Sequence, residues 1–141
     1  MMDGLVERLH HGAHSLVVGK GEDVRTFDGR GVSDLYRLLR EEPSVLTGAS
    51  VADKVVGKAA LALMILGGVK EVFADVVSRQ ALALCEERGI EVRYGTLVPY
   101  IVNRAQTGWC PMEIRCRDCA TPEECLKKIE QFIEENRKHT A

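Results

Sequence analysis

A strand–helix–strand pattern in the middle of the chain restricts the fold more than any other sequence feature. The residues from Val69 to Val77 predict a buried strand, and Ile90 to Tyr94 predict a second. Between them, Ser78 can cap a short helix that continues to Glu87 and that Gly89 ends. Because the connections are short, we expect the two strands to be parallel and joined by a right-handed crossover.

The segments before this unit predict a helix, a β-hairpin and a second helix. The first helix ends at Gly12, and the hairpin pairs His14 to Val18 with Val24 to Phe27 across a glycine-rich turn. A further helix begins near Ser33 and stops before Pro43, because the residue that precedes a proline disfavours helical geometry.

A long buried helix is predicted from Ser50 to Leu66. Ser50 followed by Asp53 matches the S-x-x-D capping pattern, and the segment carries no charge after Lys58. A helix that is apolar on nearly every side is buried on nearly every side. Gly67 and the glycine that follows it then provide the C-terminal stop.

The last element is a C-terminal helix over residues 121–138, with Thr121 as N-cap, Pro122 in the first turn and Glu124 completing a capping box. The chain has 141 residues, the size of one ordinary domain. A hairpin followed by β-α-β units therefore predicts a single α/β domain spanning residues 1–141, built as a three-layer α/β/α sandwich around a mixed sheet.

Composition argues against several classes of function. The net charge is -2 and aromatic residues make up 5%, so neither nucleic acid nor a membrane surface is an expected partner. The longest strongly apolar segment, Ala59 to Val69, is too short to cross a bilayer. No secretory signal is apparent, so a cytoplasmic location is expected, in which the five cysteines would stay reduced.

The stretch from Asn103 to Cys119 is the strongest candidate for a functional loop, since it holds the only Trp and three of the five Cys. Cys110 lies between a Thr-Gly turn and a Pro-x-Glu, which is a poor environment for a core thiol. We therefore predict Cys110 as a nucleophile, with Glu113 as a proton carrier. The alternative is that Cys110 is half-buried and inert.

Four residues near the predicted start of the long helix form a candidate anion site. Lys54 and Lys58 are four residues apart and would share one helix face, beside the N–H groups of the first turn. Ser50 and Asp53 would lie on the same turn. The alternative is two solvated lysines and an aspartate that only caps the helix.

Asn103, Arg104 and Thr107 follow a probable strand end, where ligands bind in α/β sheets. Arg104 suits a phosphate or a carboxylate, and Asn103 would help to orient it. A loop asparagine that makes a turn, beside an exposed arginine, is an equally valid interpretation.

The cysteines near the C-terminus have the spacing C-x5-C-x2-C-x5-C, formed by Cys110, Cys116, Cys119 and Cys125. The C-x-x-C pair suits half of a zinc site, but the other half lacks such a pair, so free thiols are the favoured prediction over a metal or redox cluster. Cys85 is predicted to be a packing residue.

The strings from Gly48 to Ala60, Leu97 to Arg104 and Thr107 to Glu113 resemble a small bacterial family of undetermined function with a cytidine-deaminase-like fold. Zinc deaminases carry H-x-E or C-x-E at one helix start and P-C-x-x-C at the next. The helix starts assigned here, Ser50 to Lys54 and Val77 to Ala81, contain no His or Cys. Zinc-dependent deamination is therefore not expected, and no cofactor is predicted. The resemblance also implies a homo-oligomer.

These observations together predict a protein that binds a small anionic or nucleotide-like ligand between the Ser50 helix and the Thr107 to Glu113 loop. If the protein is an enzyme, hydrolysis or group transfer through Cys110 is the expected chemistry. Two alternatives stay open, namely a non-catalytic ligand sensor or interaction module, and a cysteine-rich metal or redox protein.

Overall fold

The computed structural model of the protein describes residues 1–29, 32–86 and 88–140. Over these residues the chain forms a mixed α/β fold with one five-stranded sheet and seven helices. The strands are β1 (Leu16–Lys20), β2 (Asp23–Phe27), β3 (Ser50–Val56), β4 (Glu71–Ser78) and β5 (Glu91–Val98). The helices are α1 (Met2–His11), α2 (Ser33–Glu41), α3 (Pro43–Leu46), α4 (Lys58–Gly67), α5 (Arg79–Glu86), α6 (Pro111–Cys116) and α7 (Pro122–Thr140).

The sheet has the strand order β2-β1-β3-β4-β5. The two strands of the hairpin are antiparallel, and β1 also runs antiparallel to β3. The strands β3, β4 and β5 are mutually parallel. The predicted hairpin, the parallel β-α-β unit and the mixed character of the sheet are therefore confirmed.

Successive side chains of a strand point to opposite faces of the sheet. Helices cover both of these faces. On one face, Leu5 and Leu9 of α1 pack with Val17 and Ala52 in a small buried cluster. The other face carries the main core, in which Val51 and the neighbouring strand residues pack against α4 and α5, and α7 packs against α4. Within the described part of the chain, no helix combines the length and apolar character needed to span a membrane.

The predicted long helix from Ser50 to Leu66 is wrong. Ser50 to Val56 forms the central strand β3, and the helix begins only after Gly57. A short apolar run with β-branched residues is compatible with either a buried strand or a buried helix, and here strand pairing on both sides decided the outcome. Ser50 is thus no helix cap, and its hydroxyl instead donates to Glu71 Oε1 at 2.7 Å.

The predicted loop from Asn103 to Cys119 is also partly wrong, because its second half forms α6. The starts of the other helices agree better with prediction. Thr121 Oγ1 accepts the Glu124 N–H at 3.2 Å at the start of α7, and Ser78 Oγ accepts the Ala81 N–H at 3.3 Å at the start of α5. The predicted end of this latter helix at Glu87 lies outside the described residues.

Candidate functional site

A cavity of about 320 Å³ opens near the carboxyl end of β3, and we call it the β3 cavity. Its walls come from β1, β3, the starts of α2 and α4, and the segment that contains α6. Most of the lining is apolar. Its side chains with polar or reactive groups are those of Ser15, Asp34, Asp53, Lys54, Cys110 and Glu113.

Asp53 is the most unusual group in the β3 cavity. The residue is only 9% exposed, and burial raises the pKa of its carboxyl to about 7. Hydrogen bonds from the backbone N–H groups of Val55 and Lys54 oppose this shift, while the charges of Asp75 and Asp34 add to it. The bond from Val55 N–H is long, at 3.4 Å, so the carboxyl is poorly satisfied by the protein. Near neutral pH it can therefore both donate and accept a proton.

Glu113 is also a buried acid, but in contrast to Asp53 both of its carboxyl oxygens accept short hydrogen bonds. Its Oε1 accepts the Lys58 N–H at 2.9 Å and the Gln80 Nε2 at 2.7 Å, and its Oε2 accepts the Ile101 N–H at 3.0 Å. Glu113 belongs to α6, so these bonds join α6 to the starts of α4 and α5. A Cβ on Gly57 would lie 2.8 Å from Glu113 Oε1, and glycine therefore permits this close approach.

The two lysines of the predicted anion site lie in different environments. Lys54 belongs to β3 and lines the β3 cavity, whereas Lys58 is the first residue of α4 and is 7% exposed. The Lys58 ammonium donates to the carbonyl oxygens of Arg117, at 3.2 Å, and Cys119, beyond the end of α6. The prediction that both amines share one helix face is therefore wrong, and the Lys58 ammonium serves an internal contact.

Cys110 lies at the N-terminus of α6, is half-buried and lines the β3 cavity together with Lys54. Its backbone N–H donates to Ile101 O at 2.8 Å, which closes the loop between β5 and α6. The expectation that the thiol and an early lysine face one hollow therefore agrees with the structure for Lys54 and not for Lys58.

The loop from residue 101 to 110 is held closed by its own groups. Val102 pairs with Trp109 across an isolated bridge, and the Trp109 ring stacks on Tyr100 at 4.5 Å. Asn103 Oδ1 accepts the Thr107 N–H at 3.0 Å, and Asn103 Nδ2 donates to Thr107 Oγ1 at 3.0 Å. Asn103 and Thr107 thus shape the loop instead of lining the β3 cavity.

The remaining cysteines are all buried in the core. The pKa of the Cys125 thiol is raised, first by its hydrogen bond with Cys116 and then by burial, and Cys119 is a further partner. Among the described residues, no group of three or more His, Cys, Asp or Glu side chains is arranged to hold a metal ion. Cys85 is 5% exposed, as expected for a packing residue.

Alkylation of the native protein should therefore distinguish the thiols. We expect iodoacetamide to modify Cys110 first, because it is half-buried while the other four cysteines are buried. Mass spectrometry of the folded protein should show one adduct on Cys110, and Cys110→Ser should remove it. Four further adducts should form only in denaturant. Early labelling of Cys119 or Cys125 in folded protein would contradict this assignment.

Comparison with known proteins identifies the family of the chain. Residues 4–133 match the family model described as "TM1506: Domain of unknown function (DUF1893)". The chain belongs to the DUF1893 family. A crystal structure of a DUF1893 family protein (TM1506) from Thermotoga maritima matches with a TM-score of 0.85 and 24% identity, over 92% of this chain and 88% of that one. At this identity the likeness supports the fold alone. No curated protein gave a significant match.

The structure of this DUF1893 chain also corrects the helix starts that we compared with deaminase motifs. Ser50 to Lys54 is strand, and Val77 to Ala81 straddles the end of β4 and the start of α5. The helix starts that border the β3 cavity belong to α2, α4 and α6. The first residues of α2 and α4, Ser33-Asp34-Leu35 and Lys58-Ala59-Ala60, contain no His or Cys, whereas Cys110 immediately precedes α6.

Sequence reasoning missed two features of this site in the DUF1893 chain. Asp34 lines the cavity and accepts the Gly29 N–H at 2.8 Å. The sequence does not distinguish this residue, because acidic side chains are common in the first turn of a helix. Asp53 was noted only as an anion-site or capping residue. The available signal was its place in V-A-D-K-V-V, where a strand interpretation puts a carboxyl on a buried face.

Proposed function

We propose that the protein binds a small planar molecule in the β3 cavity through the Asp53 carboxyl. The observation that carries this proposal is the contrast between Asp53 and Glu113, the two buried acids of the described residues. Glu113 receives three strong hydrogen bonds, whereas Asp53 receives only backbone N–H groups within the described chain, one of them at 3.4 Å. A buried acid with spare hydrogen-bonding capacity and a raised pKa, in a cavity, marks a functional site.

The chemistry of the lining narrows the ligand. Asp34, Asp53 and Glu113 contribute three carboxyl groups, against the single amine of Lys54. An anion is therefore disfavoured inside the β3 cavity. With a pKa near 7, the Asp53 carboxyl can accept one hydrogen bond and donate another. This pattern complements an amino group beside a ring nitrogen, and the apolar walls suit the faces of a flat ring.

The volume and position of the β3 cavity support the same ligand class. About 320 Å³ lies at the lower end of the range for small-molecule pockets, so the ligand is small.

The strand order β2-β1-β3-β4-β5, with an antiparallel β1, supports a cytidine-deaminase-like arrangement. The residues that the structure describes include no group of three or more His, Cys, Asp or Glu side chains arranged to hold a metal ion, so the proposal is binding at Asp53 and not hydrolysis by a zinc-bound water.

Cys110 supports a second candidate function, group transfer through a covalent adduct. Its thiol group lies on a residue that lines the β3 cavity, and it is the least buried of the five cysteines. The same ligand would then be bound by Asp53, and the Cys110 sulfur would bond to a carbon of the ligand as the bond from that carbon to a leaving group breaks. Attack by water or another nucleophile would then release the group and restore the thiol. Turnover that disappears in Cys110→Ser while binding persists would favour this candidate over a sensor.

Binding can be tested with cytosine and adenine, which carry an amino group beside a ring nitrogen, and with uracil, which does not. In ¹H–¹⁵N NMR titrations we expect at least one of the first two to shift signals of the β3 cavity more than uracil does. Asp53→Leu should weaken that binding at least about tenfold, by removing the polar contact. The matched change Asp23→Leu, at an exposed position, should have no effect. Equal responses to all three bases, or unchanged affinity in Asp53→Leu, would refute the proposal.

A further inference from the structure

A second hollow of about 560 Å³ adjoins the β3 cavity, and we call it the α7 groove. The two share the lining residues Val32, Cys110 and Met112, so they are adjacent, with Cys110 on the border between them. The far wall of the groove is made by Phe132 and Ile133 of α7. A ligand that occupied both hollows would pass Cys110.

The charge of the α7 groove is opposite to that of the β3 cavity. The charged residues of its lining are Arg104 and Arg137, and no acidic side chain is among the described lining residues. Arg104 is exposed, and in the described part of the chain it forms no ion pair or hydrogen bond. Arg115 shows the contrast, because its guanidinium pairs with Glu135 and lies over the Phe132 ring.

The position of Arg104 is fixed by the closed loop that carries it. The Asn103–Thr107 hydrogen bonds tie the loop on either side of Arg104, and the Val102–Trp109 bridge closes it further out. The loop therefore places Arg104 beside the groove without a large loss of backbone entropy on binding. A guanidinium binds an oxyanion through two parallel hydrogen bonds.

We infer that the α7 groove binds a phosphate monoester on the same ligand whose planar ring occupies the β3 cavity. This inference rests on the proposed function, and it assigns the ligand class as a flat nitrogen heterocycle joined by a short linker to a dianionic phosphate. The acidic cavity takes the neutral head, and Arg104 takes the charged tail. The linker then passes Cys110.

Calorimetric titrations with cytosine, cytidine and cytidine 5′-monophosphate, and with the adenine series, test this assignment. We expect the monophosphate of the recognised base to bind at least about tenfold more tightly than its nucleoside at low salt, with a smaller gain at high salt. Arg104→Gln should remove this gain and leave the affinity for the free base unchanged. Arg8→Gln, which makes the same charge change on α1, should leave the gain intact.

The outcomes separate this inference from the proposal on which it rests. If the free base binds but its monophosphate gains nothing, the phosphate site is wrong and the function of the β3 cavity stands. A gain that survives Arg104→Gln also overturns the phosphate site. If neither base nor monophosphate binds, both the phosphate site and the proposed function fail.

Discussion

Replacing Glu113 with alanine is expected to lower the free energy of unfolding by about 3–5 kcal/mol. The change leaves the Lys58 and Ile101 N–H groups without their acceptor, in a region where Glu113 itself is 2% exposed. The Gln80 amide loses its bond to Glu113 Oε1 and keeps the one to the backbone oxygen of residue 113. Buried donors without partners cost the full loss of their hydration. Chemical denaturation monitored by Trp109 fluorescence would measure the effect.

Two matched variants make the Glu113 experiment specific. Glu134→Ala removes an exposed acid from α7 and should change stability by less than about 0.5 kcal/mol. Glu113→Gln keeps the volume but turns an N–H₂ donor toward groups that are themselves donors, so an intermediate loss is expected. A loss below about 1 kcal/mol in Glu113→Ala would show that these bonds do not hold α6 to α4 and α5.

Replacing Asp53 with asparagine is expected to stabilise the protein above neutral pH. Burial raises the pKa of the folded-state carboxyl from 3.8 to about 7, so the folded state favours the protonated form. The resulting stability is fully present below pH 3.8 and is lost as the pH rises toward 7. The whole change is on the order of 4 kcal/mol, since one pKa unit corresponds to about 1.4 kcal/mol.

Asp53→Asn cannot ionise, so its advantage over the natural protein should be small near pH 4 and largest near pH 8. Denaturation curves for both proteins across this range would measure the difference. Asp23→Asn, at an exposed position, should follow the natural protein at every pH. A constant difference between Asp53→Asn and the natural protein from pH 4 to pH 8 would show that Asp53 titrates normally in the folded state.

The candidate site was only partly predictable, and the particular residues show why. Cys110 and Glu113 were identified from local sequence, because a thiol between turn signals and a nearby acid are visible without coordinates. Lys58 was misassigned, because its amine contacts carbonyl groups of residues about sixty positions later in the chain. Arg104 was identified, but its groove is formed with α7, and no local pattern reveals that contact.

The sequence by itself determined the hairpin, the parallel β-α-β unit, and the starts of α5 and α7. These features depend on turns, caps and alternation within a few residues. Only the tertiary structure decided that Ser50 to Val56 is a strand and that Asp53 is a poorly satisfied buried acid. The seven-residue segment S-V-A-D-K-V-V is too short to choose its own conformation, so pairing with β1 and β4 selected the strand and thereby buried the carboxyl.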